Sequence, residues 1–408
     1  MTLATSNPER LELIRSRMAQ ILGLGTASPA HSISQQDAAL IAQELHITKR
    51  WHQALPALYR KSGVNRRGSV LLQSEQTQEE VSTSQRQTFY QPSSPTHPFG
   101  PSTSDRMKIY AKEAAPLLVK ACIAAIENSS IKPSSITHLV TVSCTGFSAP
   151  GSDLRLVETL GLSDNVQRTN VGFMGCHGAI NAIRVAKAIV EADPQAVVLV
   201  GAVELCSIHQ QYSDDPQQLV ANALFADGAA AMIVGSAAEI ASIESSSTED
   251  LTGSYNPENE TTGDWTLASS FSQIIPQTSD LMSWNIGDFG FQMSLDPQVP
   301  ACIESYLYAA LSTWLESQSL TVSSIDAWAI HPGGPRIVQA SGAALGLSEE
   351  QIRPSLSVLA NHGNMSSPTV LFILDQLMRD GTTAEAKHAV LLAFGPGLCI
   401  EACLLSKA

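Results

Sequence analysis

From Ala179 onward, apolar residues fall at 179, 182, 183, 186, 189 and 190. This is the spacing of one helix face packed on a core, and it predicts a helix over residues 178–191. The very apolar run AVVLVGAVE (196–204) follows as a strand. Upstream, MKIYAKEAAPLLVKACIAAIENSS (107–130) carries a helical period and ITHLVTVSC (136–144) reads as a strand. Such alternation makes an α/β sheet. The second half repeats the scheme. NHGNMSS (361–367) is a glycine-containing turn, apolar residues at 370, 373, 374, 377 and 378 predict a helix, and HAVLLAF (388–394) is a strand. Each half closes with a glycine turn and another apolar run, FADGAAAMIVGSA (225–237) and GPGLCIEACLL (395–405). The order implies an internal duplication, with one half at residues 1–240 and the other at 241–408. Residues 74–105, rich in Ser, Thr, Gln and Pro and without an apolar period, read as a long surface excursion.

The 408 residues, 44% hydrophobic and 15% charged, are enough for one or two sizeable cores. A formal charge of −14 argues against general affinity for nucleic acid or anionic membranes, so any anionic ligand needs a local basic patch. The opening MTLATSNPERLELIRSR has no apolar signal core, and no run reaches the length of a membrane span, so a cytoplasmic location is expected. The seven cysteines (122, 144, 176, 206, 302, 399 and 403) are dispersed and form no CxxC pair. They indicate neither a disulfide framework nor a zinc site, and are expected to be reduced thiols.

Cys176 lies where a glycine-rich turn becomes the first predicted helix. Gly172, Gly175 and Gly178 let the chain turn there, near the positive end of the helix dipole, a setting that favours a thiolate. The alternative is a small buried hydrophobe. His331 ends the apolar strand IDAWAI, a strand-to-loop position where α/β sites lie, though a histidine before PGG also serves as a loop donor. Asn364 is placed to cap the second-half helix, a position for which Asn is among the best residues. Phe225 and Phe291, each beside a strand, read as core. YRKSGVNRR (59–67) is the densest basic run.

GFMGCHGAINAIRVA, ALFADGAAAMIVG, HPGGPRIV, GNMSSPTVLFILD and AFGPGL, in that order, resemble the signature blocks of the chalcone synthase-like type III polyketide synthases. The likeness runs from GLGTASP near residue 23 to residue 403. It implies a thiolase-like fold with an internally duplicated five-layered αβαβα core. It also implies decarboxylative Claisen condensation of an acyl-CoA starter with malonyl-CoA, followed by cyclisation to a pyrone, resorcinol or related product. Coenzyme A thioesters are then the substrates, with no metal and no other cofactor.

By this resemblance Cys176 takes the acyl group, His331 partners it in an ion pair near neutral pH, and Asn364 and His331 hold the malonyl thioester oxygen. Phe225 and Phe291 gate the cavity, which Ser366 and the turn Gly395, Pro396, Gly397 help to line. Lys61 falls on a family coenzyme A position, while the two other basic positions fall on Ala54 and Ala57. Arg60, Arg66 and Arg67 either substitute for them or form a solvated face. Cys144 and Ala149 stand where plant enzymes carry Thr and Met, a bacterial style. Met282 and His209 stand where they carry Gly and Thr, which predicts a narrower cavity. A homodimer is implied, with the loop containing Ala149 reaching the partner's cavity. A ketoacyl synthase III-like enzyme that takes malonyl from a carrier protein is the nearest rival. A catalytically silent binding protein on the same fold is the second, and a cysteine hydrolase ranks last.

Overall fold

The computed structural model describes residues 17–45, 51–73, 87–237, 265–381 and 383–407. The boundary expected at residues 240/241 and the first part of the 74–105 excursion lie outside them. The strands of the first half, in chain order, are β1 (Ala19–Ala27), β2 (Ser32–Ser34), β3 (Arg66–Gly68), β4 (His138–Ser143), β5 (Gln167–Gly172), β6 (Val198–Leu205) and β7 (Asp227–Ser236). Those of the second half are β8 (Thr266–Ile274), β9 (Met282–Gly287), β10 (Gly290–Leu295), β11 (Ala327–Ile330), β12 (His388–Gly395) and β13 (Cys399–Ser406).

Nine strands hydrogen-bond in the order β11-β12-β13-β8-β1-β7-β6-β4-β5. The duplication is visible in their directions. In the first half β1 is antiparallel to β7, β7 antiparallel to β6, and β6 parallel to β4. In the second half β8 is antiparallel to β13, β13 antiparallel to β12, and β12 parallel to β11. The two half-sheets join weakly, through the Gln20–Thr266 pair and the Ile21 N–H donated to the Trp265 carbonyl at 2.9 Å.

Alternation along the buried strands separates the layers, because successive side chains of a strand point to opposite faces. Val198, Val200 and Ala202 of β6 and Ala230, Met232 and Val234 of β7 belong to a central core. Their neighbours Leu199, Val203, Ala229, Ala231 and Ile233 belong to an outer core with helix Thr103–Glu127. On β12, Ala389, Leu391 and Ala393 face the centre, while Val390, Leu392 and Phe394 face outward onto helix Val299–Ser317. The central core is filled by helices Gly178–Ala192 and Thr369–Arg379, each packed on strands of both halves. The result is the five-layer αβαβα arrangement, with the two central helices in matching places.

The first central helix begins at Gly178 as expected and ends one residue beyond the expected range. The chain enters it through a 3-10 turn, Gly175–His177. Of the three glycines expected to bend there, Gly175 alone takes a left-handed conformation (φ 74°), and Phe173 shares the bend with φ 58°. The surface reading of 74–105 is corrected for its second part: Gln87 and Tyr90 are buried, and the Tyr90 hydroxyl donates to the Ser207 carbonyl at 2.8 Å. Among the described residues no helix is long and apolar enough to cross a membrane.

Candidate active site

Cys176 sits in the turn at the start of its helix and is buried. His331 directly follows β11, its N–H held by the Leu392 carbonyl at 2.7 Å. Asn364 is stitched to the segment around Phe225: its N–H donates to the Leu224 carbonyl and its carbonyl accepts the Ala226 N–H, both at 2.9 Å. Cys176, His331 and Asn364 line one cavity of about 20 Å³, with Phe225, Met282 and Phe394 among its other walls. Topology explains the convergence, since the nucleophile turn comes from the first half and the histidine and asparagine from the second.

Asn364 is not the helix cap. Helix Thr369–Arg379 begins five residues later, with Pro368 at its cap position. Instead the Asn364 Oδ1 accepts the Ser366 N–H at 2.8 Å, which turns the amide NH2 away from that turn. Ser366 is a non-glycine residue in the left-handed region (φ 56°), a conformation that has to be held by its surroundings.

No hydrogen bond joins the Cys176 and His331 side chains. Burial pushes the Cys176 thiol up to about 11, the Ser366 hydroxyl opposing it and the Glu204 charge adding to it. Burial pushes His331 down to about 3, with the His177 charge acting in the same direction. The two shifts share one cause, because removal from water penalises every charged form. Among the described residues, neither ring nitrogen of His331 has a hydrogen-bond partner.

A neighbouring cavity of about 80 Å³ shares Phe225, Ala221 and Met293 as walls, and Ser366, expected to line the site, is among the walls of neither. His209, Phe291, Trp284 and Arg67 line the larger one. His209 and Met282 thus narrow two adjoining spaces, not one as expected. His209 Nε2–H donates to the Thr145 carbonyl at 2.6 Å, its Nδ1 accepts the Phe291 N–H at 3.0 Å, and burial holds it neutral, down to about 3. Its ring stacks on Phe291 at 4.2 Å, so Phe291 is fixed by backbone and face together. Arg67 is not a free cation: its Nη1 donates to the carbonyls of Asn222 (2.6 Å) and Phe225 (2.9 Å). Arg60 and Lys61, in the last turn of helix Leu55–Lys61, and Arg66 on β3 are exposed.

The turn Gly395, Pro396, Gly397 meets the back of the nucleophile segment, and Phe394 is the residue of this region on the cavity wall. A Cβ on Gly395 would lie 2.2 Å from the His177 ring, and one on Gly175 would lie 2.6 Å from the Pro396 ring. The two turns interlock because neither glycine carries a side chain. Gly395→Ala is accordingly expected to cost about 1–3 kcal/mol, the usual range for overpacking. A urea midpoint equal to that of the wild type would show that the His177 ring moves aside freely.

Sequence reasoning missed Glu204. It ends the all-buried strand β6, is itself fully buried, and lies under the site. Its carboxylate accepts the Cys144 N–H at 3.0 Å, the Thr145 hydroxyl at 2.7 Å, the Ser367 hydroxyl at 2.6 Å and the Cys144 thiol at 3.2 Å. The signal was an acidic residue inside a continuous apolar run, where a charge survives only with partners. Cys144 therefore sits beneath the site, and its carbonyl accepts the Trp284 indole N–H at 2.7 Å. Ala149 is exposed, in the loop before helix Ser152–Leu160.

Residues 9–238 match the N-terminal domain of chalcone and stilbene synthases, and residues 266–408 match the C-terminal domain. The chain belongs to the chalcone and stilbene synthase family. The chalcone and stilbene synthases are type III polyketide synthases on the thiolase-like fold described above, and the bacterial style of this chain agrees with its relatives. It is 32% identical over 389 residues to the alpha-pyrone synthesis polyketide synthase-like Pks18 of Mycobacterium tuberculosis, covering 95% of this chain and 91% of that protein. It is 28% identical over 388 residues to the 3,5-dihydroxyphenylacetyl-CoA synthase of Streptomyces toyocaensis, covering 95% and 89%. Among solved structures, PKS-I of the brown alga Ectocarpus siliculosus superposes with a TM-score of 0.80 at 26% identity, covering 96% of this chain and 98% of that one. The type III domain of the Dictyostelium hybrid Steely1 gives 0.79 at 26% identity, covering 96% and 99%.

Proposed function

We propose that this chain condenses an acyl-CoA starter with malonyl-CoA units on Cys176 and cyclises the chain to a pyrone, a resorcinol or a related ring. The observation that carries this reading is the shared cavity of Cys176, His331 and Asn364, in which a buried imidazole has no partner among the described residues for either nitrogen. A buried polar group without a partner is rare, and a thioester carbonyl bound here would supply one. A neutral imidazole keeps one N–H, so His331 and the Asn364 amide together offer two donors to one oxygen. Such donors act where negative charge develops, on the enolate formed as malonyl loses CO2. The enolate carbon then attacks the Cys176 thioester carbonyl, a carbon–carbon bond forms, and the Cys176 sulfur leaves. The apolar walls Phe225, Met282 and Phe394 disfavour the malonyl carboxylate and so assist its departure as neutral CO2.

Coenzyme A thioesters are the substrates in this scheme, and every step uses side chains of the chain itself. Lys61 and Arg60, exposed beside one another at a helix end, suit the phosphates of coenzyme A. A homodimer belongs to the same proposal. The edge strand β5 is exposed along nearly its whole length, and Phe147 and Phe173 beside it are 60% and 40% exposed. An open edge with apolar neighbours suits a second copy. Both rings also approach Phe291, at 6.4 and 5.6 Å, so a partner seated there would adjoin the cavity wall. A cytoplasmic setting completes the proposal, supported by seven free thiols.

The deciding experiment is the purified protein with malonyl-CoA, a panel of acyl-CoA starters and no carrier protein, read by mass spectrometry. Cyclised products are expected, and their strict dependence on an acyl carrier protein would favour the ketoacyl synthase reading. Met282 gives a further expectation. It is buried against the catalytic cavity, whose small volume favours slender linear starters over bulky aromatic ones. Met282→Gly should admit bulkier starters or add a further malonyl unit. An unchanged starter range and product length would show that Met282 does not limit the space.

A further inference from the structure

The backbone after β6 forms one wall of the larger cavity, through Cys206, Ser207, His209 and Gln210. Beyond its short 3-10 turn this segment is irregular, so its carbonyls have to find partners outside the sheet. Four successive ones do. The Ser207 carbonyl accepts the Tyr90 hydroxyl at 2.8 Å, and the His209 carbonyl accepts the Gln211 Nε2–H at 2.9 Å. The carbonyls of Ile208 and Gln210 accept from Arg106 Nη1, at 2.5 and 3.0 Å. Arg106 thus grips the chain on both sides of His209.

Arg106 lies in the first turn of helix Thr103–Glu127 and is fully buried. Nη1 also donates to the Tyr90 hydroxyl, and Nε donates to the Pro101 carbonyl, both at 2.9 Å. No carboxylate pairs with it among the described residues. A buried cation is costly without partners, and this one is sustained by carbonyl and hydroxyl dipoles from three separate segments. The fit is close: a Cβ on Gly290, which has φ 100°, would lie 2.8 Å from Nε. Gly290 precedes Phe291, whose N–H is accepted by His209 Nδ1 and whose ring stacks on the imidazole. The Arg106 charge also disfavours a proton on His209, whose Nδ1 must stay bare to accept that N–H. One guanidinium therefore meets the backbone of both aromatic walls.

We propose that Arg106, seconded by Tyr90, is a specificity-determining positioning residue. By fixing the His209 and Phe291 rings it sets the width of the larger cavity, and so decides which acyl groups fit there. It acts through His209 and not by touching the substrate. With the rings held, a slender linear chain fits; a bulky aromatic group needs them to move. The inference rests on the proposed condensation, with the acyl group entering the larger cavity past the shared walls Ala221, Phe225 and Met293.

The test is a competition in one vessel between hexanoyl-CoA and cinnamoyl-CoA, with malonyl-CoA present, read by mass spectrometry as the ratio of their products. That ratio reports relative kcat/KM and does not depend on how much of the protein is folded, so a merely structural role leaves it unchanged. Arg106→Met should raise the cinnamoyl share by about tenfold or more, the weight of a methylene-sized change in a pocket. Arg106→Lys, which retains the charge and three donors, should keep the ratio near that of the wild type. If Arg106→Met yields no folded protein, Tyr90→Phe stands in for it, and loss of the one hydroxyl should move the ratio in the same direction by about threefold. In a His209→Ala protein, which lacks the ring the clamp acts through, adding Arg106→Met should change the ratio no further. An unchanged ratio in Arg106→Met, or in Tyr90→Phe where it stands in, would overturn the assignment. So would a full tenfold shift added on top of His209→Ala. Failure of the underlying reading looks different, because the wild-type protein would then form no product from either starter.

Discussion

Cys176→Ala is expected to abolish both acyl loading and product formation while the protein folds normally. The side chain is buried at a tight turn, so a smaller residue fits without new contacts, and the change removes one sulfur. Loss of the nucleophile removes the covalent intermediate through which the reaction is divided into easier steps, and no neighbouring group replaces it. Cys144 is shielded by its bonds to Glu204 and does not line the cavity described for Cys176. Malonyl-CoA decarboxylation should survive in this variant, since the proposed donors to the malonyl oxygen, His331 and Asn364, are intact. Mass spectrometry of the intact protein after incubation with an acyl-CoA checks the loading, and release of CO2 from malonyl-CoA checks the remainder.

Asn364→Ala is expected to slow decarboxylation and condensation by about 10²–10³, the loss of about 2.7–4 kcal/mol that removal of one such donor brings. Starter loading should fall far less, because enolate charge develops only after malonyl binds. Asn364 also has a structural duty, since its Oδ1 holds the Ser366 N–H. Asn364→Asp separates the two: it keeps the acceptor for Ser366 and lacks the NH2 donor. An Asp variant as slow as the Ala variant supports the donor role. Full recovery in Asp would show that the side chain matters only for the turn. His331→Ala should impair decarboxylation to a similar extent.

The fold was legible in the sequence to the degree that burial follows periodicity. Helix Gly178–Ala192 and strands β6, β7 and β12 lie within two residues of their expected bounds, because each is packed on two sides and its apolar pattern is dense. The matching order of the two halves followed from the same patterns. What the sequence did not disclose depends on contacts between distant segments. Asn364 looked like a cap because helix start signals are local, whereas its actual partners are Ser366 and the backbone beside Phe225. Cys176 looked like a thiolate because a helix N-terminus favours one, while its burial, which pushes the thiol up, depends on segments distant in sequence. Glu204 looked like the end of a strand, and only the approach of residues 143–145 and 366–367 makes it the centre of a network. Gly395 looked like a cavity-lining turn residue, and its neighbour proved to be the His177 ring.

The central claim is that acyl groups pass from coenzyme A to Cys176, in a site that His331 and Asn364 complete. Its most direct test is to incubate the wild-type protein with an acyl-CoA alone, digest it, map the adduct, and repeat after adding malonyl-CoA. The account predicts one acyl group, on Cys176, that disappears on malonyl-CoA addition as product forms. An acyl group on a different residue that is consumed into product, or product formed with Cys176 never acylated, would contradict it.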